Sequence, residues 1–163
     1  MVLGVAGGNG LEHVKSDKYR TVYGVDINED YLCAVKDRFA DQADVIKCLC
    51  LDIINETDKL PCAELVIANL FVEYVGYEAF AKALYKIGPE YVSVVIQINT
   101  DDNAWVSDSP YLHAFDGLDE VHHQMEEAAL TECLKTAGFE KILTERDDLP
   151  NGKALLRLDY RKV

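Results

Sequence analysis

The stretch VLGVAGGNG, residues 2–10, decides how the rest of the chain is read. Val2 to Val5 is a short apolar run that breaks at once into Ala6-Gly7-Gly8-Asn9-Gly10. A run of this kind ending in glycines reads as a buried strand feeding a tight turn. Gly10 to Lys18 reads as a short helix with Leu11 and Val14 inward. Strand, glycine turn and helix together form the unit with which open α/β sheets bind nucleotides. The main chain approaches the ligand through the glycines, and free N–H groups at the helix start face it. A plain strand-to-helix turn carries the same residues, so the stretch settles fold before function.

Working outward, apolar runs and helical stripes alternate along the chain. Strands are expected at Thr21 to Val25, Ala43 to Leu51, Glu64 to Asn69 and Tyr91 to Ile98. Helices are expected at Asn28 to Phe39, with Asn28 as N-cap, at Tyr77 to Ile87, and at Met125 to Ala137 with Gly138 as its stop. Asn99 to His123 is polar and reads as a long ordered surface loop. Phe139 to Thr144 and Ala154 to Tyr160 are closing strands joined by DDLPNG. No helix fits between them, so they must pair antiparallel. The expected fold is a three-layer α/β sandwich: a mostly parallel seven-stranded sheet with a C-terminal antiparallel hairpin, in one domain over residues 1–163.

The 163 residues include 29 acidic and 16 basic side chains, for a net charge of −13. Such a chain repels phosphate backbones and anionic membranes, so neither unaided nucleic-acid binding nor membrane binding is expected. With 49% apolar residues it has enough material for a core. The glycine-broken start lacks a basic segment and a cleavage site, so it does not read as a signal peptide. Cys33, Cys48, Cys50, Cys62 and Cys133 have no CxxC spacing, which points to reduced, buried thiols in a cytoplasmic protein and to no metal site.

Two carboxylates extend the glycine signal. Asp26 closes the second strand in VYGVDIN and Asp52 closes the third in CLCLDII. The first can accept both hydroxyls of a ribose. The second can accept from an adenine amino group while Leu51 or Ile53 packs on the ring. Either acid alone reads equally as a cap or turn residue. Features at three successive strand ends converge on one crevice.

On these residues the chain resembles the class I S-adenosylmethionine-dependent methyltransferases, a Rossmann-like family. VLGVAGGNG is similar to that family's first motif, with Gly8 and Gly10 on its last two glycines and Ala6 replacing the earlier one. The resemblance implies S-adenosylmethionine, or its product S-adenosylhomocysteine, as cofactor. It implies that Ala6, Gly7, Gly8, Asn9 and Gly10 cradle the methionine part. Asp26 with Ile27 would hold the ribose, Asp52 with Ile53 the adenine, and Asn69 and Leu70 would border the sulfur. Three departures stand out. Gly4 occupies the place of an acid near the methionine amine. Asn69-Leu70-Phe71-Val72 stands where amino-methylating DNA enzymes carry D/N-P-P-Y/F. The first strand begins at the second residue, so the chain reads as a minimal member or one lacking an N-terminal cap. A nicotinamide-binding reading meets His13 where a G-x-G-x-x-G beginning at Gly8 needs a small residue.

No residue announces itself as a catalytic base. Glu73, Tyr74 and His113 are the candidates, with Tyr111 and the His122-His123 pair nearby in sequence. Against these stand a helix start with a packing tyrosine and a solvated helix end. A metal set from His113, His122 and His123 has no supporting acid pair, and Trp105 reads as a loop anchor. From Gly88 to Leu134 there is no Lys or Arg, whereas Glu90, Asp101, Asp102, Asp108, Asp116, Asp119, Glu120, Glu126, Glu127 and Glu132 all fall there. That one-sign field favours a cationic or amine acceptor, or simply solubilises the surface. Methyl transfer to a small molecule is the leading reading. A non-catalytic partner module is the alternative, with a homo-oligomer or a lid-completing partner in view.

Overall fold

The computed structural model describes residues 1–99, 125–149 and 152–163. Seven strands are present: β1 (Val2–Leu3), β2 (Val22–Asp26), β3 (Ile46–Cys50), β4 (Leu65–Asn69), β5 (Tyr91–Asn99), β6 (Phe139–Asp148) and β7 (Lys153–Lys162). Among the described residues three α-helices accompany them: α1 (Glu29–Arg38), α2 (Val72–Ile87) and α3 (Glu127–Thr136). The strands form one sheet in the order β3-β2-β1-β4-β5-β7-β6. The first five are parallel, and β7 inserts antiparallel between β5 and β6. Strand order reverses at β1, so the C-terminal ends of β1 and β4 flank the switch point at which open sheets leave a crevice.

Alternation along the strands assigns the two faces. Val66 and Ala68 of β4 and Val92, Val94 and Ile96 of β5 point to one core, which α2 and α3 cover with Phe80, Leu84, Ile87, Leu130 and Leu134. There Tyr160 is fully buried, its hydroxyl 3.0 Å from Thr131 Oγ1, so β7 is bonded to α3. The other face holds a smaller core in which Leu32, Val35 and Phe39 of α1 meet Val22 and Ile46. Leu11 and Val5 close its upper edge.

Helix α1 starts where the sequence places it. The Asn28 side chain accepts from the N–H of Asp30 (2.9 Å) and of Tyr31 (3.3 Å), pairing two donors that the first turn leaves open. Gly138 ends the α3 segment at φ +87°.

Three expectations need correction. The helix over Gly10 to Lys18 is absent: only Leu11–His13 forms a single 3₁₀ turn. The reason is length. The turn after β1 uses residues 4–10, and the remaining eleven or so must return along the whole strand, which a short helix rising 1.5 Å per residue with its own entry and exit cannot do. Secondly, β1 is shorter than Val2 to Val5, because Gly4 turns the chain at φ +68°. Thirdly, the cysteines are free but not buried: Cys33, Cys50 and Cys62 are exposed, and Cys48 and Cys133 half-buried. Cys48 and Cys50 do share a face, but β3 is an edge strand and covers them poorly. Among the described residues no helix is long and apolar enough to cross a membrane. The expected loop Asn99 to His123 and the Pro150-Asn151 turn lie almost wholly outside the described residues.

Replacing Asn28 by Ala removes the cap and leaves those two N–H groups to water. We expect a loss of about 1 kcal/mol, read as a melting temperature lower by about 2–4 °C. An unchanged melting temperature would show that the cap contributes nothing to stability.

Candidate functional site

The glycine turn is held from three sides. Gly4 and Val5 donate N–H bonds to Val25 O at 2.9 and 3.1 Å, which seats the turn on β2. Ala6 N–H donates to Asp26 Oδ2 at 2.9 Å, while Asp26 Oδ1 accepts from Asn28 N–H at 2.9 Å. One carboxylate thus links the turn, the end of β2 and the start of α1. From the far end of α1, the Arg38 guanidinium donates to Gly7 O (3.3 Å) and Asn9 Oδ1 (3.2 Å) and lies 3.6 Å from Glu12. Glu12 in turn accepts from Gly10 N–H at 2.9 Å. The turn is pre-shaped by its neighbours.

The glycines do different jobs. A Cβ on Gly8 would lie 3.0–3.3 Å from Phe39, Val35 and Leu11, and its φ is +80°, so Gly8 lets α1 pack against the turn. A Cβ on Gly7 or Gly10 would meet nothing within 4 Å. Those two positions leave open space above the main chain. Gly4 answers its own departure from the family motif: a Cβ there would lie 2.5 Å from Phe71 Cδ2, so the aromatic ring takes the room an acidic side chain would need.

Among the described residues two that are not glycine are left-handed, Ala6 at φ +45° and Leu70 at φ +51°. Each costs on the order of 1–2 kcal/mol of backbone energy. They stand at the ends of β1 and β4, the two strands that border the switch point. Such strain concentrates at ligand sites. Leu70 is held by its N–H bond to Val95 O at 2.8 Å and yet is 43% exposed.

Asp52 is already engaged. It accepts from Ile54 N–H at 2.9 Å and from Asn55 Nδ2 at 2.6 Å, and these bonds hold its carboxyl below the usual carboxylate range, with the Asn55 bond the larger cause. It therefore shapes its own turn, as the plain reading allowed. Each oxygen keeps a further acceptor direction. Ile53 is buried in the core, whereas Ile27 (68% exposed) and Ile54 (47%) are at the surface.

Glu73, at the start of α2, is 3% exposed. Its Oε1 accepts from Gln97 N–H at 3.0 Å, and its Oε2 is buried with no hydrogen-bond partner. The geometry explains the position. The β4–β5 ladder ends at Asn69 and Val95, so Gln97 lies beyond it, and the carboxyl takes the place of the missing strand. Burial pushes the Glu73 carboxyl upward in pKa and also raises half-buried Tyr74, with Glu73 as a second cause. Two features were not anticipated from the sequence. One is Arg38, whose spacing from the turn depends on the fold. The other is Lys153, buried at the start of β7 opposite Asn99, where desolvation lowers its ammonium pKa.

The structure thus brings the glycine turn, Asp26, Asp52, Asn69 and Leu70 to one edge of the sheet, with Glu73 and Tyr74 at its β5 side. Tyr111, His113, Trp105 and His122-His123 lie outside the described residues. Among the described residues there is no cluster of His, Cys, Asp and Glu suited to a metal ion.

No protein-family model matches the chain, and no curated protein does. Solved structures do. The chain is similar to a putative S-adenosylmethionine-dependent methyltransferase from Listeria monocytogenes, at 15% identity over 99% of this chain and 90% of that one, TM-score 0.72. It is similar to magnesium protoporphyrin IX methyltransferase from Synechocystis PCC 6803, solved with bound S-adenosylmethionine, at 12% identity over 99% and 68%, TM-score 0.63. It is also similar to the cyclase SpnF, at 12% identity over 99% and 74%, TM-score 0.74. The chain has the class I methyltransferase fold. Because the likeness extends to a cyclase, the methyltransferase fold alone does not fix the reaction. What it fixes is the frame in which the strand-end residues are to be judged.

Ala6→Gly should relieve the left-handed strain. Set against the greater freedom glycine gives the unfolded chain, the net gain is about 0.5–1 kcal/mol, seen as a raised urea midpoint. Equal or lower stability would mean the turn is not strained at that residue. Glu73 makes stability depend on pH. A carboxyl whose folded pKa lies above its unfolded value binds protons more tightly when folded. Its contribution is complete below about pH 4.5 and is lost as pH climbs through the raised folded value. Glu73→Gln has no such titration, so its stability relative to the parent chain improves from pH 4 to pH 7.5. A difference that does not change with pH would contradict the buried acid.

Proposed function

We propose that this chain binds S-adenosylmethionine across the C-terminal ends of β1, β2 and β3 and transfers its methyl group to a small-molecule acceptor. One observation supports this most: Asp26 bridges to Ala6 beneath a turn whose Gly7 and Gly10 leave room for a ligand, next to the switch point. The residues present fit the cofactor. Asp26 and Asp52 each retain acceptor directions, suited to ribose hydroxyls and to an adenine amino group. Ile27 and Ile54 offer apolar contact to the adenine ring, with Ile53 supporting them from the core. Ala6, Gly7, Gly8, Asn9 and Gly10 line the methionine end, and Asn69 and Leu70 the sulfur.

The cofactor supplies an electrophilic sulfonium methyl; the protein's part is to bind, orient and exclude water. Arg38 and Asp26 keep the turn in shape before binding. Leu70, apolar and exposed in a strained conformation, presents a dry wall. Glu73, whose carboxyl is buried and raised in pKa by desolvation, precedes Tyr74 at the start of α2, and these two are the acid–base candidates among the described residues. The acids between Gly88 and Leu134 favour a cationic or amine acceptor. The five free cysteines suit a reducing, cytoplasmic compartment.

One observation favours a second reading, a binding module without catalysis. Phe71 fills the room beside Gly4, so the methionine amine has no acid there. The two readings part on turnover: both predict cofactor binding, and only the first predicts methylated product from small amines.

Calorimetric titration with S-adenosylhomocysteine should give a saturable heat. Asp26→Ala should weaken it at least about tenfold, the loss of a hydrogen bond to a charged group. A melting temperature that falls while affinity stays unchanged would reduce Asp26 to a structural clasp. No heat with the parent chain would reject the proposal.

A further inference from the structure

The two ends of the proposed cofactor cleft differ in what they leave unbonded. At the nucleoside end, the Asp26 and Asp52 carboxylates accept from their own turns and keep further acceptor directions. Ile27 and Ile54 are exposed there. At the glycine-turn end the polar groups are engaged within the protein. The N–H groups of Gly4 and Val5 donate to Val25 O, Ala6 to Asp26, Gly8 to Val5 O and Gly10 to Glu12. Arg38 reaches Gly7 O, Asn9 Oδ1 and Glu12, so Glu12 already faces both a cation and an N–H. Glu73 is buried on its bond to Gln97. The place beside Gly4 is filled by carbon. A Cβ there would lie 2.5 Å from Cδ2 of Phe71, a ring packed against the larger core. The distances to Cγ and Cε2, on either side of Cδ2, are nearly equal at 3.2 and 3.3 Å, so the ring turns its edge to Gly4.

An S-adenosyl ligand joins an adenosine to an amino-acid arm that carries an ammonium and a carboxylate. On the binding reading proposed above, on which this inference rests, the two halves meet unlike surroundings. We propose that the cleft holds its ligand by the adenosine half and that Phe71 excludes recognition of the arm, so that a 5′-thioether of adenosine without the charged arm binds as tightly as S-adenosylhomocysteine. Desolvation is the physical reason. Taking an ammonium out of water costs free energy unless an anion or other acceptors replace its hydration. Phe71 offers neither. The edge of an aromatic ring carries partial positive charge, so it repels a cation that the ring face would attract. The carboxylate of the arm fares no better. Of the N–H groups from Gly4 to Gly10, at most those of Gly7 and Asn9 are left to it, in a chain of net charge −13. Adenosine needs acceptors for its hydroxyls and amino group and apolar contact for its ring, and these are what Asp26, Asp52, Ile27 and Ile54 leave open.

The test titrates the full chain calorimetrically with S-adenosylhomocysteine and with 5′-methylthioadenosine, which has a methyl group in place of the arm. The two dissociation constants should agree within about threefold. A preference for S-adenosylhomocysteine of about tenfold or more, the worth of a hydrogen bond to a charged group, would overturn the proposal and leave the cofactor reading intact. Heat from neither ligand would reject the cofactor reading and this inference with it. Two variants test Phe71 itself. Gly4→Asp with Phe71→Ala puts a carboxylate where the ring stood, and aspartate is among the residues that tolerate the left-handed φ of this position. This double variant should bind S-adenosylhomocysteine about tenfold tighter than the parent chain, with its affinity for 5′-methylthioadenosine unchanged. Equal gains for both ligands, or none in a variant whose circular dichroism matches the parent's, would overturn the role given to Phe71. Phe71→Ala alone should leave the ratio of the two affinities near one. A loss confined to S-adenosylhomocysteine would overturn the proposal, because the ring itself would then be holding the ammonium.

Discussion

The hydrogen bond from Ala6 N–H to the Asp26 carboxylate is the constraint on which the upper edge of this molecule depends. β1 is only two residues long, too short for its own ladder to fix the path of the glycine turn. Asp26 supplies the missing register by binding the turn with one oxygen and the start of α1 with the other. Once those two segments are set, Val35 and Phe39 of α1 can close on Gly8, and Arg38 can reach across to Gly7 and Asn9. This edge of the sheet is therefore shaped by side chains from α1 and β2. The backbone strain at Ala6 is tolerated because these contacts over-determine the turn.

Much of this was legible in the residues. The alternation of apolar runs and helical stripes predicted all seven strands. The lack of room for a crossover helix after the sixth predicted its antiparallel pairing. Asn28 as an N-cap followed from residue type and position. Asp26 and Asp52 were found because each closes a strand, and the fold does bring their strand ends together. Local pattern and tertiary packing agree at these points, and for that reason the pattern could be trusted.

What the sequence hid is physical in origin. Leu11 and Val14 have helical spacing, but the distance to be covered before Thr21 overrides that preference. Gly76 splits α2, so that Tyr77 to Ile87, the stripe visible in the sequence, is only the later part of a longer element. The expected burial of the cysteines failed, because burial depends on which strand becomes an edge. Glu73 was visible as an acid at a helix start. That it would be buried under the extension of β5 depends on where the β4–β5 ladder stops, and no local signal carries that.

The interruption at Gly76 has a thermodynamic consequence. Its backbone, at φ 77° and ψ 165°, lies in a region reserved for glycine, and the helical hydrogen-bond pattern does not run through it undisturbed. The segment from Val72 to Val75 is a single turn, too short to be stable by helical cooperativity. It is kept in place by buried Val72 and by the carboxyl of Glu73. The β4 rim is accordingly held by side-chain burial and by the Glu73–Gln97 hydrogen bond more than by helical hydrogen bonding.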